Sequence, residues 1–449
     1  MSKILGVSEG SHDAAWCLIK DGEILTAHHA ERSTRVKNQK WITHIPWWCR
    51  DAVFVGHEDK ERVAERRKEA GQDPQPKNID YNKCYNHYET HAWAGWATAP
   101  FDECDILCID AIGEKETAAV YRVRDDGHGN TSFEKTWEMK YPMSYGLAYS
   151  AVTAGLGYKP MEEEYIVMGL AAYGEPRFYK EFYGLYQQNC HKGIELPEGR
   201  PEDIAASIQW AYETWLFDLV NTHCRHKNLI LMGGCALNCV ANSKIYEGRN
   251  IWIMPNPGDA GSALGAAARH YGSKLNWKGP YLGTNIYRNV NPREVASYLS
   301  ANGVAGVANG RAEFGPRALG NRSLLADPRL DIKDTVNDIK KRQRFRPFAP
   351  AILEEHSTKF FSGPMNEYMQ FVATALHDYD SVTHVDGTAR VQVVKPNCQS
   401  VIRPILEEWY ELTGCPMLLN TSLNIKGEPM VDTIEHAEEW EKKYQVRVF

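Results

Sequence analysis

The 449-residue chain contains no run of about 18 apolar residues, the length a membrane-spanning helix requires, so no membrane association is expected. Its first residues, MSKILGVSEGSHDAAW, place no long apolar segment behind a basic start, which speaks against a secretory signal and for a cytoplasmic protein. The 11 cysteines, an odd number, form no C-x-x-C pair, and reduced thiols are the expectation. Excess positive charge is missing as well. A net charge of −7 gives no global attraction to nucleic acid or anionic membrane, although Lys340 to Arg346, KKRQRFR, is a local basic run. There is no low-complexity tract and no repeat with a period of about 20–50 residues. What remains, at 43% hydrophobic and 24% charged residues, is the composition of a folded chain long enough for roughly two or three domains.

The elements alternate. KILGVSE, AAWCLIKDG and EILTAHHAE read as strands, the last two joined by a hairpin at Asp21-Gly22. ECDILCIDAIGE is an apolar strand ending in an acidic, glycine-bearing turn, and TAAVYRVR resumes as a strand. A largely helical middle is expected from about Ser144 to Lys227. KNLILMGGCALNC and NIWIMPNPGDAGSALGAAARHYG then each run strand, turn, small-residue helix. The Gly/Pro/Asn-rich passage from Trp277 to Asn291 reads as a linker. After it, PREVASYLSANG and GVAGVANGR open a second α/β region. The expected division is therefore 1–280 and 281–449.

Chemistry-bearing residues fall in two groups. In NHYETHAWAGW, His87 and His91 stand four apart, so a helix would place both imidazoles on one face. The zinc-protease pattern H-E-x-x-H is absent, because Tyr88 occupies the position of its glutamate. Taken alone, the pair is either half of a metal site or two helix histidines with ordinary hydrogen bonds. In the second region, Arg317 and Arg322 lie among glycines, and Lys340, Arg342 and Arg346 lie in the basic run. His384, Asp386, Thr388 and Arg390 follow in HVDGTARVQ, and Asn420, Thr421, Ser422, Asn424 and Glu428 in LLNTSLNIKGEP. Guanidinium forks grip phosphate, and glycine turns let backbone N–H groups approach anions, so these stretches favour a nucleotide or carbamoyl/phosphate pocket over a solvated surface.

Taken together, ILGVSEGSHDAAWCLIKDGEI, HYETHA, VMGLAAYG, GGCALNCVAN, PNPGDAGSALGAA, GRAEFGPRALGNRSLLADPR, FRPFAPAIL, HVDGTARVQ and LLNTSLNIKGEP resemble the O-carbamoyltransferases that modify nodulation factors and antibiotics. The motifs span nearly the whole chain in the family's order. The resemblance implies an α/β protein with an N-terminal actin/sugar-kinase-like domain and a C-terminal YrdC-like domain. It implies that the C-terminal domain makes carbamoyladenylate from ATP and carbamoyl phosphate, and that the N-terminal domain passes the carbamoyl group to an acceptor hydroxyl.

The implied metal ligands are His87, His91 and Asp259, with Fe2+ as the expected ion and Mg2+ accompanying ATP. Turns at Ser8–Asp13, Asp110–Glu114 and Gly233–Asn238 would surround the metal, bringing Gly234 and Asn238 to the nucleotide side. His12 is the implied base for the acceptor hydroxyl, or else a buried turn histidine, and Asp110 would position the acceptor or a metal-bound water. In the adenylating pocket Lys340 and Arg346 would be catalytic, stabilising charge on the transferring phosphates, and Arg317, Arg342, His384, Thr388, Arg390, Asn420, Ser422 and Asn424 would bind the substrates. Four positions depart from the family pattern: Ala111 stands for a glycine in DAIGE, Tyr165-Ile166 replaces a glycine and a lysine, and Gln343 stands where glutamate is common. The acceptor is a sugar or natural-product hydroxyl, or a hydroxymethylated cytosine in DNA as in compact phage-type relatives; oligomeric state is not indicated. The competing readings are N-carbamoyl or threonylcarbamoyl transfer to tRNA on the same folds and a nucleotide-binding module without catalysis.

Overall fold

A computed structural model of the chain describes residues 3–10, 13–49, 51–56, 60–73, 83–125 and 131–449. It divides into two compact units, one comprising residues 1–34 and 38–279, the other residues 35–37 and 280–449.

The first unit holds two sheets with one topology. Strands β1 (Ile4–Ser8), β2 (Ala15–Lys20), β3 (Glu23–His29), β4 (Val53–Gly56) and β5 (Lys83–Cys84) lie in the order β3-β2-β1-β4-β5. The pairs β1/β2 and β2/β3 are antiparallel, and β1/β4 and β4/β5 are parallel. Strands β6 (Cys104–Ile109), β7 (Glu116–Asp125), β8 (Thr131–Lys140), β9 (Asn228–Met232) and β10 (Asn250–Ile253) repeat the plan as β8-β7-β6-β9-β10, with β6/β7 and β7/β8 antiparallel and β6/β9 and β10/β9 parallel. Two meanders extended by parallel crossovers are the internally duplicated α/β plan of the actin/sugar-kinase type. The expected helical middle includes helices Tyr145–Gly155, Glu164–Leu170 and Pro201–His223.

Small residues let the layers close. Helix Ser262–Tyr271 crosses β1 where a Cβ on Gly6 would lie 1.9 Å from the Ala263 carbonyl oxygen. It crosses helix His87–Thr98 where a Cβ on Gly265 would lie 1.9 Å from the Thr90 carbonyl oxygen. Gly95, on that second helix, packs on Ile230 and Met232 of β9. The helix bearing His87 and His91 is thus wedged between a sheet and a second helix.

The second unit is built on a mixed sheet. The passage read as a linker contains β11 (Tyr281–Ile286), which pairs antiparallel with β13 (Gly310–Glu313). The glycine that signalled a linker sits in close packing, since a Cβ on Gly283 would lie 3.0 Å from the Ala312 Cβ. Strands β12 (Val304–Ala308), β14 (Arg322–Ala326), β15 (Ala349–Leu353), β19 (Gln392–Val394) and β20 (Met417–Ser422) form the main sheet in the order β12-β14-β20-β15-β19. Short strands β16 (Phe361–Ser362), β17 (Ala373–Ala375) and β18 (Thr388–Ala389) form a separate antiparallel sheet. The central strand β20 alternates: Met417 and Leu419 enter one apolar layer with Trp440 and Phe348, and Leu418 enters the other with Trp409 and Ile405. Asn420 and Ser422 continue that strand beyond its apolar part.

Candidate metal centre and second-unit polar cluster

Asn86 starts the critical helix. Its side chain accepts from the backbone N–H groups of Tyr88 and Glu89, satisfying donors that a helix start leaves unpaired. The helix then begins at His87, and His91 follows one turn later with its Nε2 3.1 Å from Nε2 of His87. Asp259 enters from the turn before helix Ser262–Tyr271, its Oδ1 3.4 Å from His87 Nε2 and 3.3 Å from His91 Nε2. Asp110 enters from the end of β6. Its Oδ2 lies 3.4 Å from His91 Nε2 and 4.0 Å from His87 Nε2. All four residues are buried, and their ligand atoms lie within 4.8 Å of one another, the one such convergence found among the described residues.

The supporting contacts aim these groups. Ser262 Oγ is 3.2 Å from Nδ1 of His91, which orients the ring so that Nε2 faces the carboxylates. The Ser8 hydroxyl donates to the Asp259 carbonyl oxygen at 2.7 Å, anchoring that turn. Asp110 Oδ1 accepts from the Ala111 N–H at 2.8 Å, and Oδ2 accepts from the Gly234 N–H at 3.2 Å. Gly113 in the same turn faces His87 and Tyr88 with no space for a Cβ.

The electrostatics fit a cation. Burial works against charge on His91, but hydrogen bonding and attraction from Asp110 and Asp259 carry its pKa up to about 9. Burial and the neighbouring Asp259 both disfavour charge on Asp110, yet its contacts with His87 and His91 bring its pKa down to about 2. Two carboxylates that repel each other, with two imidazoles in a buried pocket, form a donor set suited to a divalent transition metal. Sequence reasoning placed Asp110 beside the metal rather than in this set, and it overlooked Ser262, three residues after Asp259.

The other residues named from the sequence are distributed as follows. His12 lies outside the described residues. Gly234 contributes its N–H to Asp110. Asn238 caps helix Cys239–Lys244 through Ala241 N–H and is hydrogen-bonded to Gln209. In the second unit Lys340 is 4% exposed, and its ammonium contacts the Ser422 carbonyl, Ser422 Oγ at 3.3 Å, the Asn424 carbonyl at 2.8 Å and Asn424 Oδ1 at 3.0 Å. Burial, and then the nearby Arg342 and Arg346, push its pKa well below the usual lysine value. Lys340, Ser422 and Asn424 are therefore one network.

Arg342 bonds Asn337 Oδ1 and the Pro347 carbonyl and lies over the Phe348 ring. Thr388 donates from backbone and hydroxyl to Asp386, and the His384 N–H donates to the Thr388 carbonyl. Arg317, Arg346 and Arg390 are half-buried. Asn420 is buried and bonds Gln392, a residue the sequence reading passed over. Arg322, by contrast, is fully buried and donates to the carbonyls of Thr284, Asn309, Gly310, Asn321 and Asp432, which makes it a structural clamp.

This architecture coincides with a known family over most of the chain. A model of the carbamoyltransferase N-terminus matches residues 52–196 and 192–268, and one of the carbamoyltransferase C-terminus matches residues 296–449. Nodulation protein NolNO of Sinorhizobium fredii is 31% identical over 95% of this chain and 76% of its own length. Nodulation protein NolO of Bradyrhizobium diazoefficiens is 34% identical over 78% of this chain and 75% of its own. An uncharacterized protein of a Synechocystis species is 31% identical over 97% of this chain and 94% of its own. The chain belongs to the carbamoyltransferase family and is a carbamoyltransferase. Among solved structures, component A of (R)-2-hydroxyglutaryl-CoA dehydratase from Acidaminococcus fermentans is 17% identical with a TM-score of 0.34, over 60% of this chain and 97% of that one. No helix among the described residues is long and apolar enough to cross a membrane.

Proposed function

We propose that this carbamoyltransferase is ATP-dependent and works through two half-reactions, activation in the second unit and transfer to a hydroxyl in the first. Carbamoyl phosphate gives up its phosphoryl group to water, yielding carbamate and inorganic phosphate. A carbamate oxygen then attacks the α-phosphorus of ATP, the bond to the bridging oxygen of the β-phosphate breaks, and carbamoyladenylate and pyrophosphate form. In the second half-reaction the acceptor oxygen attacks the carbamoyl carbon, the bond from that carbon to the adenylate oxygen breaks, AMP leaves, and the hydroxyl proton passes to a base. The nodulation proteins among the relatives favour a sugar-type hydroxyl as the acceptor.

The observation that carries this reading is the buried convergence of His87, His91, Asp110 and Asp259 in the unit that matches the carbamoyltransferase N-terminus. These four residues would hold a divalent metal, with Fe2+ suited to the mixed nitrogen and oxygen donors and Mg2+ entering with ATP. When bound, the metal would offset negative charge on a phosphate oxygen and polarise its surroundings. Asp110, fixed by the Gly234 and Ala111 N–H groups, holds its carboxylate toward His91, while Ser262 holds the other face of that ring. In the second unit, Arg317, Arg342, Arg346 and Arg390 would stabilise charge on the transferring phosphates. Lys340 would act by fixing Ser422 and Asn424 in place. His12 is the candidate base.

The direct test is to incubate purified protein with ATP, with and without carbamoyl phosphate, and to measure AMP and pyrophosphate. A mass-spectrometric screen of sugar, aminoglycoside and hydroxymethylated DNA acceptors for a carbamoyl mass gain accompanies it. Pyrophosphate formed only with carbamoyl phosphate is expected. Its absence, or its formation at equal rate without carbamoyl phosphate, overturns the reading.

A further inference from the structure

Arg35 stands in a backbone conformation that an arginine adopts only at a cost. It is the last residue of ERSTR and follows helix Ala30–Thr34, and its φ of 59° is left-handed. At the end of a helix that region suits glycine or asparagine, because a larger side chain crowds the neighbouring carbonyl. Residues 35–37 belong to the second unit, although the chain on either side of them belongs to the first. Within the second unit the Arg35 guanidinium donates through Nη1 to the Met430 carbonyl at 2.7 Å and through Nη2 to the Pro429 carbonyl at 3.0 Å. The planar fork spans two consecutive carbonyls, a grip that a lysine ammonium does not reproduce.

Those two carbonyls end a loop that carries part of the Lys340 network. Residues 423–431 turn back on themselves, with the Val431 N–H donating to the Leu423 carbonyl at 3.1 Å and the Glu428 N–H to the Ile425 carbonyl at 3.2 Å. Inside the loop Asn424 Nδ2 donates to the Glu428 carbonyl at 2.7 Å. The Asn424 carbonyl and Oδ1 accept from the Lys340 ammonium, and the Lys426 N–H donates to the Lys340 carbonyl at 2.9 Å. Glu428 Oε1 accepts from Lys443 Nζ at 3.0 Å and from the Tyr444 hydroxyl at 3.2 Å. The tip of the loop is thinly packed: Lys426 and Gly427 are exposed, and nothing lies within 4 Å of where a Cβ on Gly427 would stand. Such a segment opens locally at small cost, so its fastenings set how much of the time Asn424 stays beside Lys340.

We propose that Arg35 is a positioning residue for activation: its guanidinium clamps the Pro429 and Met430 carbonyls and holds loop 423–431 in the form that keeps Asn424 beside Lys340, a role that rests on the reading that the second unit activates carbamoyl phosphate. Glycine at position 35 relieves the backbone and removes the clamp, so it separates the residue's cost to the fold from its service to the loop. When only the closed loop binds substrate, opening it lowers apparent affinity by the fraction closed and leaves turnover at saturation nearly unchanged.

The experiment uses full-length wild type, Arg35→Gly and Arg35→Lys. Amide hydrogen exchange is followed at Lys426, Glu428 and Val431, whose N–H groups bond within the loop or to Lys340, and across β14 as a reference. Pyrophosphate release from ATP is followed as carbamoyl phosphate is varied. In Arg35→Gly the three loop amides should exchange about tenfold faster while β14 is unchanged, and KM for carbamoyl phosphate should rise about tenfold with little change in kcat. Millimolar guanidinium chloride should reverse both effects, and Arg35→Lys should fall between wild type and Arg35→Gly. Wild-type exchange in Arg35→Gly overturns the clamp, and faster exchange with an unchanged KM overturns its role in positioning. A purely structural role lowers kcat and the unfolding temperature together without rescue by guanidinium, and that result also overturns the proposal. If Arg35→Gly does not fold, Arg35→Lys decides, since wild-type exchange and KM in that variant are incompatible with a two-carbonyl fork. Wild type that forms no pyrophosphate with carbamoyl phosphate overturns the proposed function, a failure that the exchange measurement distinguishes from failure of the clamp.

Discussion

Asp110→Asn separates two roles for Asp110 that the geometry assigns to different magnitudes. The carboxylate lies as near His91 as Asp259 does, 3.4 Å against 3.3 Å, which makes it a candidate metal ligand beside Asp259. Asparagine is nearly isosteric and can keep the bond from Ala111 N–H, so the turn should hold. What changes is Oδ2: an amide placed there would set two donors against each other at Gly234 N–H, and one negative charge is lost. A residue that only orients a ligating histidine costs about 10–100-fold in metal affinity when removed. Loss of an anionic ligand should exceed about 10²-fold, or roughly 2.8 kcal/mol at 1.4 kcal/mol per decade. The assay is a chelator-competition titration with Fe2+ or Co2+ on apo protein, run beside Asp259→Asn. A loss above about 10²-fold in both variants supports the four-residue centre, and a loss of 10–100-fold for Asp110→Asn alone reassigns it to orienting His91. Wild-type affinity in Asp110→Asn would refute the argument from distance.

Four further outcomes are expected. Ser262→Ala removes the contact to His91 Nδ1 and should weaken metal binding about tenfold with little change in unfolding temperature, read by the same titration. Gly265→Ala drives a methyl into the Thr90 carbonyl, prying apart the helices that carry His91 and Ser262; a loss of about 3 kcal/mol or more in urea unfolding is expected. Lys340→Met keeps the apolar stem but strips donors from Ser422 and Asn424, and should cost about 2–4 kcal/mol in the same measurement, relief from Arg342 and Arg346 offsetting part of the loss. In metal-free protein, the raised pKa of His91 contributes stability that is complete below its ordinary value and is lost as pH rises through about 9. The lowered pKa of Asp110 contributes stability present above the ordinary aspartate value and lost as pH falls through about 2. Thermal unfolding of apo wild type minus apo His91→Ala should therefore show its largest difference between about pH 4 and 6.5; a difference that grows from pH 7 to 10 would contradict the assignment.

The pairing of His87 with His91 was legible because a helix repeats locally: Asn86 caps it and four residues return the chain to the same face. Asp259 was legible only through the PGD turn of the family. Asp110 was legible as a functional residue but not as a member of the ligand set, because what brings it there is pairing between distant strands. Strand β6 runs parallel to β9, so both carboxyl ends open at one edge, and the turn after β9 offers Gly234 N–H to the turn after β6. Strand β11 was hidden for a related reason. Its glycine, asparagine and flanking prolines are local signs of a loop, and its extended form depends on β13, which no local pattern specifies.

The basic residues of the second unit carry the same argument to side chains. Arg317 and Arg322 look equivalent in GPRALGNR, yet one begins a strand and the other sits in a turn. Arg322 opens β14, and its burial is offset by five backbone carbonyls that accept from its guanidinium. Arg317, in the Gly/Pro turn, is half-buried beside the Asn420 amide network. Lys340 is buried against Ser422 and Asn424, so a phosphate reaching its ammonium would have to compete with the contacts it makes there. A sequence records where charge is placed, but the fold decides whether that charge is consumed in holding a turn together or left to face a ligand, and only the second kind of residue can be expected to answer to substrate.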